Sequence, residues 1–393
     1  GMYINSTKEK IKPEGLSKSR LVHKGDFLLT NSMSFGRPYI TNIDGCIHDG
    51  WLVISPIGTS YIQRFLYYLL SSGYAFSQFA GKVSGAVVKN LNSEKVADAL
   101  FPLPPNNEQQ RILDKLDELI PKVNTYGLVA DAISAMNQSL KPKLRKSILQ
   151  EAIQGKLVSQ DASEEPASIL LQRIREEKQR LVKKGKLKKK DAIDSTIFRG
   201  DDNKYFENKG KEIVCIDEEI PFEIPNTWEW VRLSDVVQVN PKNDVPDNTL
   251  SAFIPMERID ATYLSSFTYS ERKWGDIKAG FTHFADGDVA FAKITPCFQN
   301  RKSMILKGLP NGVGAGTTEL KVLRPYGETI DREYLLFFLE SSYFVEEATF
   351  KGTANQQRII SGYMENKLFP LPPLSEQSRI AGKIKESYMC IGL

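Results

Sequence analysis

FPLPPNNEQQRILDKLDELIPKVNTYGLVADAISAMNQSLKPKLRKSILQEAIQGKL, residues 101–157, is the stretch of this sequence that decides the fold. After the diproline, its apolar residues recur at alternating spacings of four and three, a heptad pattern that keeps one stripe of a helix facing a partner helix. A helix over residues 108–150 would be roughly 65 Å long, which predicts a spacer. Pro121 and Pro142 each remove a backbone donor, so we expect two kinks or short breaks. The stripe consists of Ile112, Leu116, Leu119, Val123, Tyr126, Ala130, Ile133, Leu140 and Leu144, with Asn137 in the one polar position.

The motif that opens this helix occurs twice, which argues against the other interpretation of the periodicity, one long core helix of an all-α domain. Residues 369–386, FPLPPLSEQSRIAGKIKE, match residues 101–118 at a constant offset of 268. The similarity extends upstream to FLYYLLSS against YLLFFLESS, and to Gly25–Asp26 against Gly287–Asp288. The repeat predicts two related globular modules, each followed by a helix. Coinciding positions include Glu108 with Glu376, Gln109 with Gln377, Arg111 with Arg379 and Ile112 with Ile380.

Each module combines strand and helix patterns. In the first, Gly25 and Asp26 form a turn into an apolar strand, and short β-branched and aromatic runs punctuated by glycine follow. A helix is predicted over residues 62–79. This mixture predicts an α+β fold.

Four motifs in a fixed order carry a resemblance to a known family. They are the repeated FPLPPxxEQxRI, LRKSILQEAIQGKLVSQD at 144–161, EEPASILLQRIREEKQRL at 164–181, and IPFEIPNTWEWVRLSDV at 220–236. Over nearly the whole chain they resemble the specificity subunit of type I restriction-modification systems. The resemblance implies two similar mixed α/β target-recognition domains, each reading one half of a bipartite, asymmetric DNA site. Long helices form an antiparallel coiled-coil-like spacer between these domains.

The resemblance also implies the partners. They are double-stranded DNA, the methyltransferase (modification) subunits that dock on the helices, and through them the restriction subunits. The specificity subunit itself catalyses nothing and needs no cofactor. The residues expected at the subunit interface are Ile112, Leu116, Leu119, Val123, Ile133, Leu140, Leu144 and Ile380.

The domain boundaries follow from the repeat and the resemblance. Compared with the family, we expect a chain that is clipped at both ends, so self-association through uncovered helix surface is possible. The predicted divisions are a first recognition domain at 1–105, a helical spacer with a basic linker at 106–190, a connector at 191–227, a second recognition domain at 228–373, and the start of a second helical region at 374–393.

Length, composition and charge limit the classes of protein to which this chain can belong. A chain of 393 residues with 41% hydrophobic content can form several ordinary cores. Neither a signal peptide nor an apolar run of about 18 residues is found, so we expect a cytoplasmic protein. The net charge of +4 conceals one basic segment, residues 171–190, with ten Lys or Arg against Glu176 and Glu177. Such a segment can follow phosphates or be a solvated connector; because the resemblance implies a linker here, we favour the connector.

Two polar loops in each module offer groups that read DNA. Arg, Lys, Asn and Gln side chains match the donor and acceptor pattern of the major groove, and Lys and hydroxyls suit phosphates. The loops are 31–39 with its counterpart 293–302, and 81–90 with its counterpart 351–358. A glycine-flanked polar loop can also be merely exposed. The predicted DNA-binding residues are Arg37, Lys82, Ser84, Lys89, Arg301, Lys302, Lys351, Asn355, Gln356 and Arg358.

Common enzyme motifs are absent from the sequence. The sequence contains no GxxxxGK[ST], no HExxH, no dinucleotide-binding glycine fingerprint and no Asn-Pro-Pro-aromatic motif. Its four cysteines lie far apart without a CxxC, which indicates neither a zinc site nor a disulfide framework. We therefore expect a protein that is not an enzyme and binds no metal. The alternative to a DNA reader is a coiled-coil scaffold, or an inactive truncated specificity cassette, that binds only proteins.

Overall fold

The computed structural model describes residues 1–31, 36–55, 58–80, 91–210, 212–261, 266–353 and 356–392, and of Lys190 only the backbone. The chain divides into two compact units, Gly1–Ala135 (unit 1) and Met136–Leu393 (unit 2). Helices and sheets occur in both, so the predicted α+β class is confirmed. Within the described residues, none of the helices combines the length and hydrophobicity that a membrane span requires.

Unit 1 is a small mixed sheet packed against helices. Its elements are β1 (Tyr3–Ile4), β2 (Arg20–Val22), β3 (Phe27–Thr30), β4 (Pro38–Thr41), β5 (Gly45–Ile47), β6 (Trp51–Ile54), α1 (Gln63–Leu70), α2 (Gly73–Ala80), α3 (Ser93–Ala97) and the first part of α4 (Asn106–Ile153). Strand β3 pairs with β4 and β6, β1 joins β4 in parallel, and β2 pairs with β5. The core lies between the sheet and the helices and includes Phe27, Leu29, Ile40, Leu66 and Phe79.

Unit 2 contains the end of α4 and the remaining elements. In chain order they are α5 (Ala167–Lys183), β7 (Thr196–Arg199), β8 (Tyr205–Lys209), β9 (Glu212–Cys215), β10 (Glu229–Arg232), α6 (Leu233–Val236), β11 (Val237–Val239), β12 (Leu250–Ile254), β13 (Ser270–Lys273), α7 (Trp274–Ile277), β14 (Thr282–Ala285), β15 (Val289–Ala292), β16 (Ser303–Ile305), β17 (Val313–Gly316), β18 (Leu320–Pro325), α8 (Arg332–Glu340), α9 (Ser342–Val345), β19 (Phe350–Thr353), β20 (Gln356–Ile359), α10 (Tyr363–Asn366), β21 (Leu368–Leu371) and α11 (Leu374–Cys390).

The sheets of unit 2 surround a core built mainly on α8. Their strand orders are β7–β8–β9, β10–β21, β11–β18–β15–β16, β13–β12–β17–β14 and β19–β20. The residues of α8 from Tyr334 to Glu340 are all buried, and all of them except Glu340 are apolar or aromatic, as expected for a helix enclosed by the core. The end of α4, helix α5 and helix α11 pack into the same core.

The two units repeat the same local structure around one glycine–aspartate pair. In unit 1, Gly25 has φ of 101°, and the Asp26 carboxylate accepts a 2.8 Å hydrogen bond from the backbone N–H three residues earlier. In unit 2, Gly287 has φ of 84°, and Asp288 accepts the corresponding bond at 2.7 Å. The next strand is central in both units, because β3 lies between β4 and β6, and β15 between β16 and β18. The chain path around this pair is therefore repeated, as the sequence predicted.

The single helix predicted over residues 62–79 is wrong, since α1 and α2 are separate helices. The Ser72 hydroxyl accepts a hydrogen bond of 3.2 Å from the N–H of Ala75. In unit 2, Ser341 caps α9 in the same way by accepting from the N–H of Phe344 at 3.2 Å. A serine that bonds to nearby N–H groups favours a helix start over a helix interior, so the serine pair of both copies divides the helix.

Helix α4 runs without interruption through both of its prolines. The short breaks expected at Pro121 and Pro142 are absent from this fully described helix. Each proline leaves one carbonyl without its helical donor, that of Asp117 and that of Gln138. Both of these residues are exposed, so water can bond to the free carbonyls and the helix can continue.

The last turns of α4 run antiparallel to α11 inside unit 2. The Lys141 ammonium donates to the carbonyl of Gly392 at 2.9 Å, and the Arg145 guanidinium lies 5.6 Å from the centre of the Tyr388 ring. Residue numbers therefore rise along α4 as they fall along α11. An antiparallel helix pair is thus present in unit 2, over the last turns of α4.

A buried glutamine joins the start of each repeated helix to its own module. The amide oxygen of Gln109 accepts from the backbone N–H just before α1 at 2.7 Å, and its nitrogen donates to the carbonyl of Pro104 at 2.9 Å. Gln377 makes the same two bonds, with the N–H before α8 at 2.8 Å and with the carbonyl of Pro372 at 2.9 Å. Both side chains are fully buried. The repeated motif therefore fixes where each helix leaves its module.

Replacing Gln109 with leucine is expected to loosen α1 in unit 1. The change leaves a buried N–H and buried carbonyls without partners, at a cost of about 1–3 kcal/mol. Amide hydrogens of Gln63–Leu70 should then exchange roughly tenfold to a hundredfold faster in hydrogen-exchange measurements. The control is Gln110→Leu, because that neighbouring side chain is exposed and bonds only to Asp114 within the described residues. Equal exchange in both variants would contradict the assigned role.

Candidate nucleic-acid interface

The hairpin of β19 and β20 presents a polar face in unit 2. Its strands pair Phe350 with Ile359, Lys351 with Arg358, and Thr353 with Gln356. Because side chains alternate along a strand, the last two pairs share one face and the first pair points to the other. Phe350 packs on Phe298 with ring centres 5.7 Å apart, and Ile359 is 7% exposed. The apolar face is thus held by the core, and the predicted Lys351, Gln356 and Arg358 lie together on the opposite face.

The two polar loops predicted in the second module meet at this hairpin. The N–H of Ile359 donates to the carbonyl of Lys293 at 3.0 Å, and the N–H of Thr295 donates to the carbonyl of Gln357 at 2.8 Å. Gly352 has φ of 134°, and a Cβ there would lie 2.3 Å from the carbonyl oxygen of Gln356. Only glycine fits this close approach, so the hairpin geometry depends on it.

Arg358 is held by a carboxylate on a neighbouring element. Its guanidinium donates two hydrogen bonds to Glu319, of 2.8 Å and 2.7 Å, a bidentate arrangement of the strong, charge-assisted kind. These bonds lower the pKa of the Glu319 carboxyl below its ordinary value. The contribution of the pair to stability is therefore present at neutral pH and is lost only as the pH falls through the lowered pKa. Lys351 is exposed and joins no ion pair within the described residues.

Arg301 and Lys302 lie at the base of the 293–302 loop, where both are half-buried. The Arg301 guanidinium donates to the carbonyl of Glu340 at 2.8 Å, and its backbone has φ of 55°. The Lys302 ammonium lies 3.3 Å from the carbonyl of Met256. These contacts tie the loop to the module, and the assignment of both residues to DNA binding stays a prediction.

The corresponding loops of unit 1 are joined at their ends by the same kind of backbone hydrogen bond. The N–H of Leu91 donates to the carbonyl of Asn31 at 2.8 Å, the counterpart of the bond between Ile359 and Lys293. Arg37 is exposed, with its guanidinium 5.5 Å from the centre of the Tyr39 ring. The residues that flank the two predicted loops of this module are therefore brought together. The predicted Lys82, Ser84, Lys89 and Asn355 lie outside the described residues.

Sequence reasoning missed Glu319 and Thr353. Thr353 lies opposite Gln356 on the polar face, and Glu319 precedes β18, 39 residues before its partner in the sequence. Thr353 sits inside the quoted loop 351–358 and was available by the same reasoning as its neighbours. Glu319 belongs to no motif, so no sequence signal pointed to it.

Glu319→Gln is expected to free Arg358 and raise the affinity for non-specific duplex DNA several-fold. One additional phosphate contact would steepen the dependence of log K on log salt by about 0.9, which fluorescence anisotropy at several salt concentrations measures. Glu328→Gln is the control, because it removes the same charge from a Glu–Arg pair elsewhere in unit 2. An equal effect of both variants, or none from Glu319→Gln, would contradict the assignment of Arg358.

Much of the predicted interface stripe on α4 is open to solvent. Ile112, Leu119, Val123, Ile133 and Leu140 are between 37% and 64% exposed, and Leu116 and Leu144 are half-buried. Leu113, which the heptad pattern did not select, is the buried residue on that part of the helix, at 2% exposure. The stripe thus offers an apolar surface, and its role in binding another subunit stays a prediction.

Ile380 differs from the other residues of the predicted interface. It is fully buried in the core of unit 2, between α11 and the elements that pack on it. Its side chain supplies no exposed surface, because α11 turns this face toward its own module. Its contribution to a docking surface can only be indirect.

The chain belongs to the family described as Type I restriction modification DNA specificity domain, whose model matches residues 2–126 and 225–393. It is 45% identical over 241 residues to the type I restriction enzyme EcoAI specificity subunit of Escherichia coli, covering 61% of this chain and 38% of that protein. It is 43% identical over 252 residues to the EcoEI specificity subunit of the same organism, covering 63% of this chain and 39% of that protein. The matched part therefore spans less than two fifths of either relative. A crystal structure of the HsdS subunit from Thermoanaerobacter tengcongensis is similar with 18% identity and a TM-score of 0.44, covering 96% of this chain and 76% of that one.

Proposed function

We propose that this chain is the DNA-recognition subunit of a type I restriction-modification complex. Each unit carries one reading module, and the two modules read the two halves of a bipartite, asymmetric site. The chain positions the assembly on DNA and performs no chemistry, which the modification subunits and, through them, the restriction subunits supply. Membership of the specificity-domain family and the names of the two relatives support this proposal.

The observation that carries the proposal is the polar face of the β19–β20 hairpin. It places a lysine, an amide and an arginine side by side on a short ribbon, and a two-stranded ribbon is narrow enough to enter the major groove. Lysine suits phosphate oxygens, and an amide can pair with the edge of adenine. The matching backbone hydrogen bond in unit 1, from Leu91 to Asn31, supports a second DNA-reading module built in the same way. The readers have different side chains, so we expect different half-sites.

The test is to co-express this chain with its modification subunit and map the methylated bases in the host DNA. The expected result is methylation confined to one bipartite sequence with an unread gap. Methylation without a sequence preference, or no methylation in a complex that assembles, would overturn the proposal.

The exposed stripe of α4 is the proposed docking surface for the modification subunit.

Insertion of seven residues into α4 between Asn124 and Ser134 is expected to change the unread gap alone. One heptad adds about 10 Å of helix and preserves the face of the stripe; at the rise of duplex DNA this corresponds to about three base pairs. Methylation mapping should therefore show the same half-sites with a longer gap. An insertion of seven residues into the loop at 200–204 is the control and should leave the gap unchanged. Altered half-sites would contradict a spacer role for α4.

A further inference from the structure

We propose that the exposed lysines at the end of α5 form a second, sequence-independent contact with the phosphate backbone of duplex DNA. This inference rests on the proposed function, since it takes DNA to be the ligand of the complex. The residues, which we name the lysine turn, are Lys183, Lys184, Lys186, Lys188 and Lys189. They lie outside the two ranges that the family model matches.

Most of the charge of the lysine turn is uncompensated. All five side chains are exposed, and within the described residues none of them joins an ion pair. No Asp or Glu occurs between residues 183 and 190. Of the acidic residues close to the turn in sequence, Glu177 pairs with Arg180 and Asp194 with Lys178, and Asp191, which follows the turn, can offset only one of its five charges. Five like charges so close together repel one another, and a polyanion relieves that repulsion.

The lysine turn has an ordered backbone, whereas a solvated connector would not need one. Gly185 has φ of 69° and ends the helix, and the N–H of Lys186 donates to the carbonyl of Leu181 at 2.9 Å, as in a glycine-terminated helix cap. Leu187 is only 8% exposed and belongs to the core of unit 2. The buried leucine anchors the segment, so the lysines project from a fixed backbone.

Helix stabilisation does not account for the whole cluster. Cations in the last turn of a helix interact favourably with its dipole, and the effect fades beyond that turn. Lys183 and Lys184 occupy this position at the end of α5. Lys186, Lys188 and Lys189 lie beyond the helix, where the dipole gives no such benefit. A ligand that carries negative charge explains the remaining three.

The residue type and the position favour phosphate over base contacts. Lysine is a compact point charge without the fork that reads guanine. The Lys178 ammonium lies 4.8 Å from the centre of the Tyr326 ring, just after β18, whereas Glu319 and Arg358 meet just before it. The six residues of β18 separate these ends by roughly 20 Å. Lys178 therefore lies at the end of β18 away from the hairpin, and the lysine turn follows at the end of the same helix. As a set of phosphate contacts, the turn adds affinity without changing the sequence that is read.

The experiment compares the full chain with the variant Lys184→Gln/Lys186→Gln/Lys188→Gln on a 40-base-pair duplex of random sequence. Binding is measured by fluorescence anisotropy between 50 and 200 mM salt. If each lysine contacts one phosphate, the variant loses about 2.7 from the slope of log K against log salt. Wild-type affinity should then fall about 40-fold more than that of the variant over this range. Lys204→Gln/Lys273→Gln/Lys307→Gln is the control, with the same charge change at exposed, scattered sites of unit 2.

A reduced slope in the lysine-turn variant alone, with an unchanged methylated sequence in the assembled complex, is the expected result. An unchanged slope, or an equal reduction in the control, would overturn the proposal. Loss of co-purification with the modification subunit at an unchanged slope would also overturn it, because the turn would then bind protein. The readout on random DNA is independent of sequence selectivity, so failure of the proposed function appears separately, as a wild-type complex that methylates without preference.

Discussion

Replacing Arg145 with leucine is expected to destabilise unit 2 by about 3–5 kcal/mol. The Arg145 guanidinium bonds to the Glu340 carboxylate at 2.5 Å, and Glu340 is 1% exposed. Without its partner, the carboxylate is left as an unpaired charge in the core, and this is among the costliest single changes in a protein. Unfolding in urea, followed by tryptophan fluorescence, measures the loss, because Trp228, Trp230 and Trp274 lie in unit 2.

The pH dependence of this variant distinguishes an unpaired charge from lost packing. Burial raises the pKa of the Glu340 carboxyl, while Arg145 and Ser303 oppose that shift. Removing Arg145 should raise this pKa further. A carboxyl whose pKa is higher in the folded state takes up a proton on folding, so the folded variant gains stability as the pH falls. The destabilisation should therefore be smaller at about pH 5 than at pH 8.

A neighbouring ion pair supplies the control. Lys146 pairs with Glu346, and both side chains are 52% exposed, so Lys146→Ala should cost no more than about 1 kcal/mol. Adding Glu340→Gln to the Arg145→Leu variant removes the stranded charge and should restore part of the stability. If Arg145→Leu costs no more than Lys146→Ala, the buried pair does not hold α4 to its module.

The repeat in the sequence predicted the shared chain path but not the surroundings of each copy. Glu108 is exposed, whereas its counterpart Glu376 is buried and accepts hydrogen bonds from Trp228 at 2.9 Å and Gln160 at 2.5 Å. Those partners lie 148 and 216 residues away along the chain. Local pattern fixes a helix and its start, but contacts at such separations depend on packing. The glutamine that follows keeps its role in both copies, because its partners belong to its own module.

The candidate site was predictable as a region and not as a set of side chains. Polar runs at corresponding places in the two modules indicated both loops of the second module, and these loops do meet. Which side chains face outward depends on the hairpin register and on the left-handed backbone at Arg301. Neither feature can be predicted from the residue types of the loop. Lys351 is therefore free to reach a ligand within the described structure, while Arg301 is turned back onto its own module.

Alanine at both Lys351 and Gln356 is expected to weaken binding of the full site strongly and to relax the sequence preference in one half-site. Each base-edge contact discriminates by about tenfold to a hundredfold, and loss of a phosphate contact lowers affinity for every sequence. Together the changes should lower binding of the full site by about two to three orders of magnitude. Binding is measured in the complex with the modification subunit. The control is Lys273→Ala with Gln172→Ala, which replaces the same residue types at exposed positions of unit 2 on other elements, β13 and α5.

The single variants separate the two roles on the hairpin face. Lys351→Ala should weaken binding uniformly and reduce the salt slope by about 1, because a point charge on an exposed strand meets phosphate. Gln356→Ala should leave the slope unchanged and relax the preference at one base pair, because an amide reads a base edge. Methylation mapping should then show one degenerate position in one half-site, with the other half-site intact. Relaxation of both half-sites, or of neither, would place the base-reading surface elsewhere in unit 2 and leave this hairpin a structural ribbon.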